Sequence, residues 1–310
     1  MPAEALVLPM LAGPTASGKS AAALELALRF DLEIVSADAM QVYRGMDVGT
    51  AKPTAAERAL VRHHLLDVVS PAEPYSVADY VVAAEGAIAD VLAGGRLPLV
   101  TGGTGFYLRA LREGLATVPA ADPTVQAPLW QEVEQGRFDT LVARLEEHAP
   151  SDARRAGRNP RRVVRSLEIL ERTGRPPSAF PRSTPRFTYD MVVLLPSMEV
   201  LRPRIARRTQ AMFEAGLVDE VRRLLAAYPE QPTALQAIGY KEVARHLRGE
   251  MDLEETEAAV TLATTQYAKR QRTWYRAERG ARYLDQVGED AGDALRTWLA
   301  GIVEEASAKD

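Results

Sequence analysis

Gly13-Pro14-Thr15-Ala16-Ser17-Gly18-Lys19-Ser20 fits the pattern G-x-x-x-x-G-K-[ST], and no other feature of the chain constrains its fold as strongly. The apolar run Ala5–Ala12 precedes it, and Ala21 to Arg29 (AAALELALR), rich in helix formers and free of glycine and proline, follows it. That context predicts a strand, a phosphate-binding loop and a helix in direct succession. Glycines let the backbone curl so that N–H groups converge at the helix N-terminus, and Lys19 adds a point charge. The Ser20 hydroxyl suits a magnesium ion carried on a phosphate. The expected ligand is a di- or triphosphate; the bland alternative is a glycine turn with an incidental lysine.

Further strands are expected at Glu33–Ala37, Leu97–Thr101 and Asp190–Pro196, with a last one at Arg282–Asp285. Strands that alternate with helical runs read as an α/β protein whose parallel sheet is wrapped by helices. From Asp122 to Gly174 no strand pattern occurs, Glu132–Glu147 and Arg161–Thr173 look helical, and Arg175–Pro185 reads as a connector. The chain is therefore divided into a first core part (1–115), an inserted all-helical domain (116–187) and a second core part (188–310) that includes helices at Glu199–Tyr228 and Glu254–Glu278.

A phosphate-loop nucleotidase carries an aspartate at the end of a second apolar strand and a group that positions water. Here the strand at Leu97 ends Thr101-Gly102-Gly103-Thr104, and the one at Asp190 ends Leu195-Pro196. Hydrolysis is not the expected chemistry. The glycine pair reads either as close backbone approach to a ligand or as a tight turn, with Thr104 offering a hydroxyl. Asp38, in Ser36-Ala37-Asp38-Ala39-Met40-Gln41, falls at the carboxyl edge of the sheet, where open α/β sheets bind ligands. Such a carboxylate can hold magnesium, take a proton from a nucleophile, or cap the next helix. The polar loop Gly45–Pro53 is placed to cover a ligand.

Overall the chain holds 38 lysines and arginines against 42 acids, a net charge of −4, so any nucleic-acid surface must be local. One candidate is Ala153–Arg186, with ten arginines against Glu168 and Glu171. A second is Lys269, Arg272 and Arg276, spaced i, i+3, i+7, with Val260, Tyr267 and Trp274 recurring every seven residues on the opposite, packing face. A third, Arg202, Arg204, Arg207 and Arg208, can reach back to a diphosphate or bridge acids at the surface. His63 and His64 are adjacent, so on a helix they would diverge, and they make no i, i+4 metal pair. Zero cysteines exclude disulfides, thiolate metal sites and cysteine catalysis, and no apolar run reaches the ~18 residues of a membrane span. A cytoplasmic protein without membrane attachment is expected.

Several longer stretches, GPTASGKS, SADAMQVYRGMDVGTAKP, HHLLD, GGTGFYL, RNPRRVVRSLEIL, QAIGYKE and YAKRQRTWYR, resemble the bacterial tRNA dimethylallyltransferases (tRNA isopentenyltransferases) in order and spacing, nearly end to end. The resemblance implies a P-loop kinase-like fold with a helical insertion. It implies transfer of a dimethylallyl group from dimethylallyl diphosphate to N6 of the adenosine beside the anticodon in tRNA, with Mg2+, by a protein expected to be monomeric. By matching position, Asp38 is similar to the family's general base, Thr104 to a residue beside the reacting adenine, and Arg204 and Arg208 to sources of positive charge. Gly13, Pro14, Thr15, Ala16, Ser17, Gly18, Lys19 and Ser20 would hold the diphosphate, with Ser20 on its metal. The tRNA anticodon stem-loop would be contacted by Asp38, Ala39, Met40, Gln41, Thr104 and Gln126. Arg161, Arg162, Val163, Val164 and Arg165, with Gln236, Ala237, Ile238, Gly239, Tyr240 and Lys241, complete that set. Ala39 and Gln126 depart from the serine and arginine that the family often has there. Rival readings are a small-molecule kinase, a prenyltransferase of free adenine nucleotides, and an RNA-binding module that senses ATP.

Overall fold

The computed structural model describes residues 6–229, 234–285 and 289–308. Two compact units emerge, Met1–Arg112 with Arg186–Asp310, and Glu113–Pro185. In chain order the elements are β1 (Val7–Ala12), α1 (Lys19–Phe30), β2 (Glu33–Ser36), α2 (Ala55–Leu60), β3 (His63–His64), α3 (Val77–Ala93), β4 (Pro98–Gly102) and α4 (Gly105–Glu113). The helices α5 (Pro123–Glu134), α6 (Phe138–His148), α7 (Pro150–Ala156) and α8 (Pro160–Thr173) follow. The chain continues with β5 (Thr188–Leu194), α9 (Met198–Glu214), α10 (Leu217–Ala227), α11 (Tyr240–Leu247), α12 (Leu253–Arg276), β6 (Ala281–Leu284) and α13 (Glu289–Ser307). Ala5, at the start of the first expected strand, lies outside the described residues.

In the larger unit the strands form one parallel sheet in the order β3-β2-β4-β1-β5-β6. Register aligns Ala12 with Gly102 on one side and with Val193 on the other, so the phosphate loop and the loop after β4 leave the sheet at one level. Successive side chains of β1 feed two apolar layers: Leu8, Met10 and Ala12 join Tyr80, Ile88 and Leu108, while Leu11 joins Leu26, Trp298 and Leu299. A strand covered on both faces must be apolar at every position, which is why these strands read as unbroken apolar runs. Among the described residues no helix is long and apolar enough to cross a membrane.

His63 and His64 form the edge strand β3, and His64 Nε2 sits 2.6 Å from the Glu33 carboxylate. Two sequence expectations are corrected. The run 199–228 is two helices, broken at Gly216 with φ 92°, and 132–147 likewise divides between α5 and α6 around Gly136 with φ 76°. A helix interior cannot hold positive φ, and glycine adopts it at least cost. At Gly102 the constraint is contact: a Cβ there would lie 2.1 Å from the Ala37 carbonyl oxygen. Gly102→Ala is expected to destabilise the protein by at least about 1–3 kcal/mol, the usual cost of overpacking, read as a lowered denaturation midpoint.

The smaller unit packs its four helices around Leu129, Leu141, Leu145, Val163, Val164 and Leu167. Asn159 caps α8, Pro160 occupies its first turn, and Gly174 ends it in the left-handed region. The fully buried Glu168 is compensated by Arg165 at 2.6 Å, Arg172 at 3.1 Å, Gln126 Nε2 at 2.6 Å and the Asp122 N–H at 2.7 Å. A buried carboxylate requires such partners. Arginines expected on a basic outer surface are thereby turned to structural work. Arg155 and Arg158 pair with Asp152 and Asp139, and Arg175 and Arg182 bind backbone carbonyls. Arg154 and Arg161 are exposed and make no hydrogen bond or ion pair among the described residues.

Candidate active site

Four segments of the larger unit converge where β1, β2 and β4 end. The first is the phosphate loop. Ala16 at φ 62° and Gly18 at φ 96° turn the backbone into an anion-binding concavity, and the Ser17 N–H donates to the Pro14 carbonyl at 3.2 Å. Gly18 precedes α1 with no side-chain cap, so the first amides of α1 have no side-chain acceptor. By contrast α3 is closed by a Ser76–Asp79 capping box. Gly13 has no room for a side chain: a Cβ would lie 2.7 Å from the Leu194 carbonyl. The Ser17 hydroxyl is buried without a partner, and Ser20 is exposed on the first turn of α1.

Lys19 opens α1 inside this loop. Burial pushes its ammonium down to about 8, an effect opposed by the Asp38 carboxylate and reinforced by Arg208. Asp38 follows β2 and its Oδ1 accepts the N–H groups of Met40 at 2.9 Å and Gln41 at 3.3 Å. This is a turn closed on itself, because residues 39–42 form no helix to cap. Thr104 holds the same turn from the β4 side: its Oγ1 accepts the Ala39 N–H at 2.9 Å and its N–H donates to the Ala37 carbonyl at 3.2 Å. Gln41 extends to the carbonyls of Thr50 and Ala51 at 3.2 and 3.3 Å.

The four arginines of α9 separate by helical phase. Arg204 and Arg208, one turn apart, reach the phosphate loop: Arg204 Nη1 donates to the Ser17 carbonyl at 3.4 Å, and Arg208 Nη1 to Thr15 Oγ1 at 3.3 Å. Arg202 and Arg207 are exposed. Arg208 Nη2 also reaches the Thr50 carbonyl at 3.5 Å, and burial lowers its pKa while Asp38 raises it. One carboxylate thus stands among two cations and a ring of loop amides, a setting for a polyanion and for proton removal beside it.

Other expected contacts are placed differently. Val163 and Val164 are buried in the core of the smaller unit, and Gln126 and Arg165 are committed to Glu168. These four side chains serve the core and the Glu168 cluster of the smaller unit; α8 turns Arg161 and Arg162 outward and the valines inward. Of Gln236–Lys241, Gln236 and Lys241 are exposed, Ile238 is half-buried, and Ala237, Gly239 and Tyr240 are buried. On α12, Lys269 and Arg276 are exposed and Arg272 is half-buried, while Val260 is buried and Tyr267 and Trp274 are half-buried.

Three residues that organise the site went unread in the sequence. Glu220 accepts the N–H groups of Asp47, Val48 and Gly49 at 2.8–3.1 Å and the Tyr240 hydroxyl at 2.6 Å, fixing the loop expected to cover the ligand. Lys52, in the same loop, is buried against Asp47 at 2.7 Å and, beyond β3, Asp67 at 2.6 Å. Gln271 on α12 contacts the phosphate loop directly. Glu220 and Gln271 act across more than 170 residues of chain, with no local spacing to betray them. Among the described residues no group of three or more His, Cys, Asp or Glu could hold a metal ion. The Ser20 hydroxyl, on the first turn of α1, is a protein donor suited to a divalent cation carried on a phosphate.

Two family models match the chain, IPP transferase over residues 41–278 and Isopentenyl transferase over residues 7–72. The chain is 55% identical over 293 residues to a tRNA dimethylallyltransferase of Thermus thermophilus, covering 94% of this chain and 97% of that protein. It is 47% identical over 298 residues to one of Deinococcus radiodurans, covering 94% and 96%. Among solved structures it is similar to the full-length tRNA isopentenylpyrophosphate transferase from Bacillus halodurans, with 36% identity, TM-score 0.72 and coverage of 97% and 98%. A eukaryotic dimethylallyltransferase acting on tRNA matches with 28% identity, TM-score 0.71 and coverage of 87% of this chain and 69% of that one.

Proposed function

Since the chain belongs to the IPP transferase family, whose similar curated members are tRNA dimethylallyltransferases, we propose that it transfers a dimethylallyl group from dimethylallyl diphosphate to N6 of the adenosine next to the anticodon in cytoplasmic tRNA. The residue roles rest on the hydrogen bonds that bring the Asp38 turn and the phosphate loop to one arginine: Arg208 donates to Thr15 Oγ1 and to the Thr50 carbonyl, which Gln41 of the Asp38 turn also reaches. An exocyclic adenine amine is a weak nucleophile. As N6 bonds to the allylic carbon, the C–O bond to diphosphate breaks, Asp38 takes the N6 proton, and Lys19, Arg208 and the loop amides hold the leaving diphosphate. When bound through the donor's oxygens and Ser20, magnesium supplies further charge neutralisation on that diphosphate. The adenine must leave its stack to reach Asp38, and Thr104 and residues 38–41 line the place it enters.

Incubation with unmodified tRNA, dimethylallyl diphosphate and magnesium, followed by digestion and mass spectrometry, is expected to yield N6-dimethylallyladenosine. Prenylated AMP with untouched tRNA, or phosphate transfer from ATP to a metabolite, would replace the reading. On the RNA side, the unpaired Arg161 is the arginine to test. Arg161→Gln should weaken tRNA binding and flatten its salt dependence by roughly one released ion per lost phosphate contact, as measured by anisotropy at several salt concentrations.

A further inference from the structure

Gln271 is 6% exposed, and both ends of its amide are used. Oε1 accepts the Thr15 N–H of the phosphate loop at 2.9 Å, and Nε2 donates to the Gly103 carbonyl at 2.8 Å. Gly103 precedes Thr104, whose N–H and Oγ1 bracket Asp38 through Ala37 and Ala39. A continuous path of hydrogen bonds therefore runs from the diphosphate loop through one side chain to the turn that carries the carboxylate. We propose that Gln271 is a positioning residue for the transfer reaction, setting the register between the leaving-group site and the Asp38 turn; this rests on the assignment of Asp38 as general base.

Three features support the role. The bridge needs an acceptor and a donor on one uncharged group of this length, which an amide provides and a carboxylate or ammonium does not. Space around it is tight: a Cβ at Gly103 would lie 2.9 Å from Gln271 Nε2. One turn further along α12, the Tyr275 hydroxyl reaches the Gly102 carbonyl at 3.4 Å, so the helix grips the last residue of β4 and the one that follows it. Gln271 itself lies outside the pair of groups that exchange the proton and hold the diphosphate. Its effect is on geometry, and a misplacement of about 1 Å between reacting groups costs on the order of 10²-fold.

A double-mutant cycle with Asp38 tests the proposal, using single-turnover transfer to tRNA at saturating donor, with thermal melts alongside. Gln271→Met keeps the size and removes both hydrogen bonds; if it fails to fold, Gln271→Glu takes its place, keeping the shape and withdrawing the donor from Gly103. The expected result is a rate lowered by about 10- to 100-fold in the native background, a donor KM within about threefold of native, and a further loss under about threefold when Asp38 is already Asn. The same loss factor with and without Asp38, a loss carried by KM alone, or a native rate in the variant would each overturn the proposal. An Asp38→Asn enzyme with native turnover would overturn the assignment beneath it, and the proposal with it, by a separate reading of the same cycle.

Discussion

Asp38→Asn is expected to lower single-turnover dimethylallyl transfer by about two to four orders of magnitude while tRNA affinity stays within about threefold, because general-base contributions fall in that range. The substitution is close to silent for structure. Asparagine has the same shape, and its Oδ1 can keep accepting the Met40 and Gln41 N–H groups that close the turn. What it loses is the ability to take a proton from N6. One side effect is foreseeable: Asp38 raises the Lys19 pKa, so its neutralisation lets that lysine deprotonate more easily. Rates are therefore best compared well below pH 8, where Lys19 of the native protein carries its charge. Unchanged turnover there would remove Asp38 from the chemistry and favour a reading in which the carboxylate only shapes the turn.

Lys19→Met should cost a comparable amount, about 10²–10³-fold in transfer, the loss typical when one preorganised electrostatic contact to developing charge is withdrawn. Arg208 reaches the same loop from α9, so removing the lysine withdraws one of two cationic contacts and leaves the other in place. A pH signature distinguishes this role from a packing effect. With Lys19 held down to about 8 by burial, the free enzyme loses the lysine charge as pH rises through that value. In the native protein, kcat/KM for dimethylallyl diphosphate should thus be level below pH 8 and decline above it, since this parameter reports groups of the free enzyme. The decline should be absent from Lys19→Met. A native profile level to pH 10, or the same decline in the variant, would show that the charge of Lys19 does not serve the donor.

The two residues with the largest expected effects were both legible in the sequence, and for a shared reason. Gly13–Ser20 shapes its own backbone, since Ala16 and Gly18 adopt positive φ within the loop and Lys19 and Ser20 open the helix that the loop feeds. Asp38 follows a short apolar strand whose neighbours in the sheet end at the same level, so the carboxyl edge was its expected place. Legibility ended where the outcome depended on phase or on distant partners. RRVVR as a whole resembles a tRNA-contacting stretch, whereas α8 buries Val163 and Val164 and draws Arg165 onto Glu168, leaving the Arg161 side chain free. Glu168 had counted as surface charge and is instead the buried group around which the smaller unit arranges two arginines. Helix run 199–228 was read through Gly216 because its apolar period continues on both sides of the break.

Read alone, the sequence determined β1, β2, β4, β5 and β6, the phosphate loop and the acid after β2, because each depends on residues within one turn or one strand of its neighbours. Tertiary structure alone decided which arginines of α9 face the loop, how Glu220 fastens residues 47–49, and how Gln271 joins Thr15 to Gly103. The Gln271–Thr15 hydrogen bond spans 256 residues and the Glu220 contacts span more than 170. Hydrogen bonds of that range leave no period or spacing along the chain; only packing α9, α10 and α12 beside the sheet brings the partners within reach.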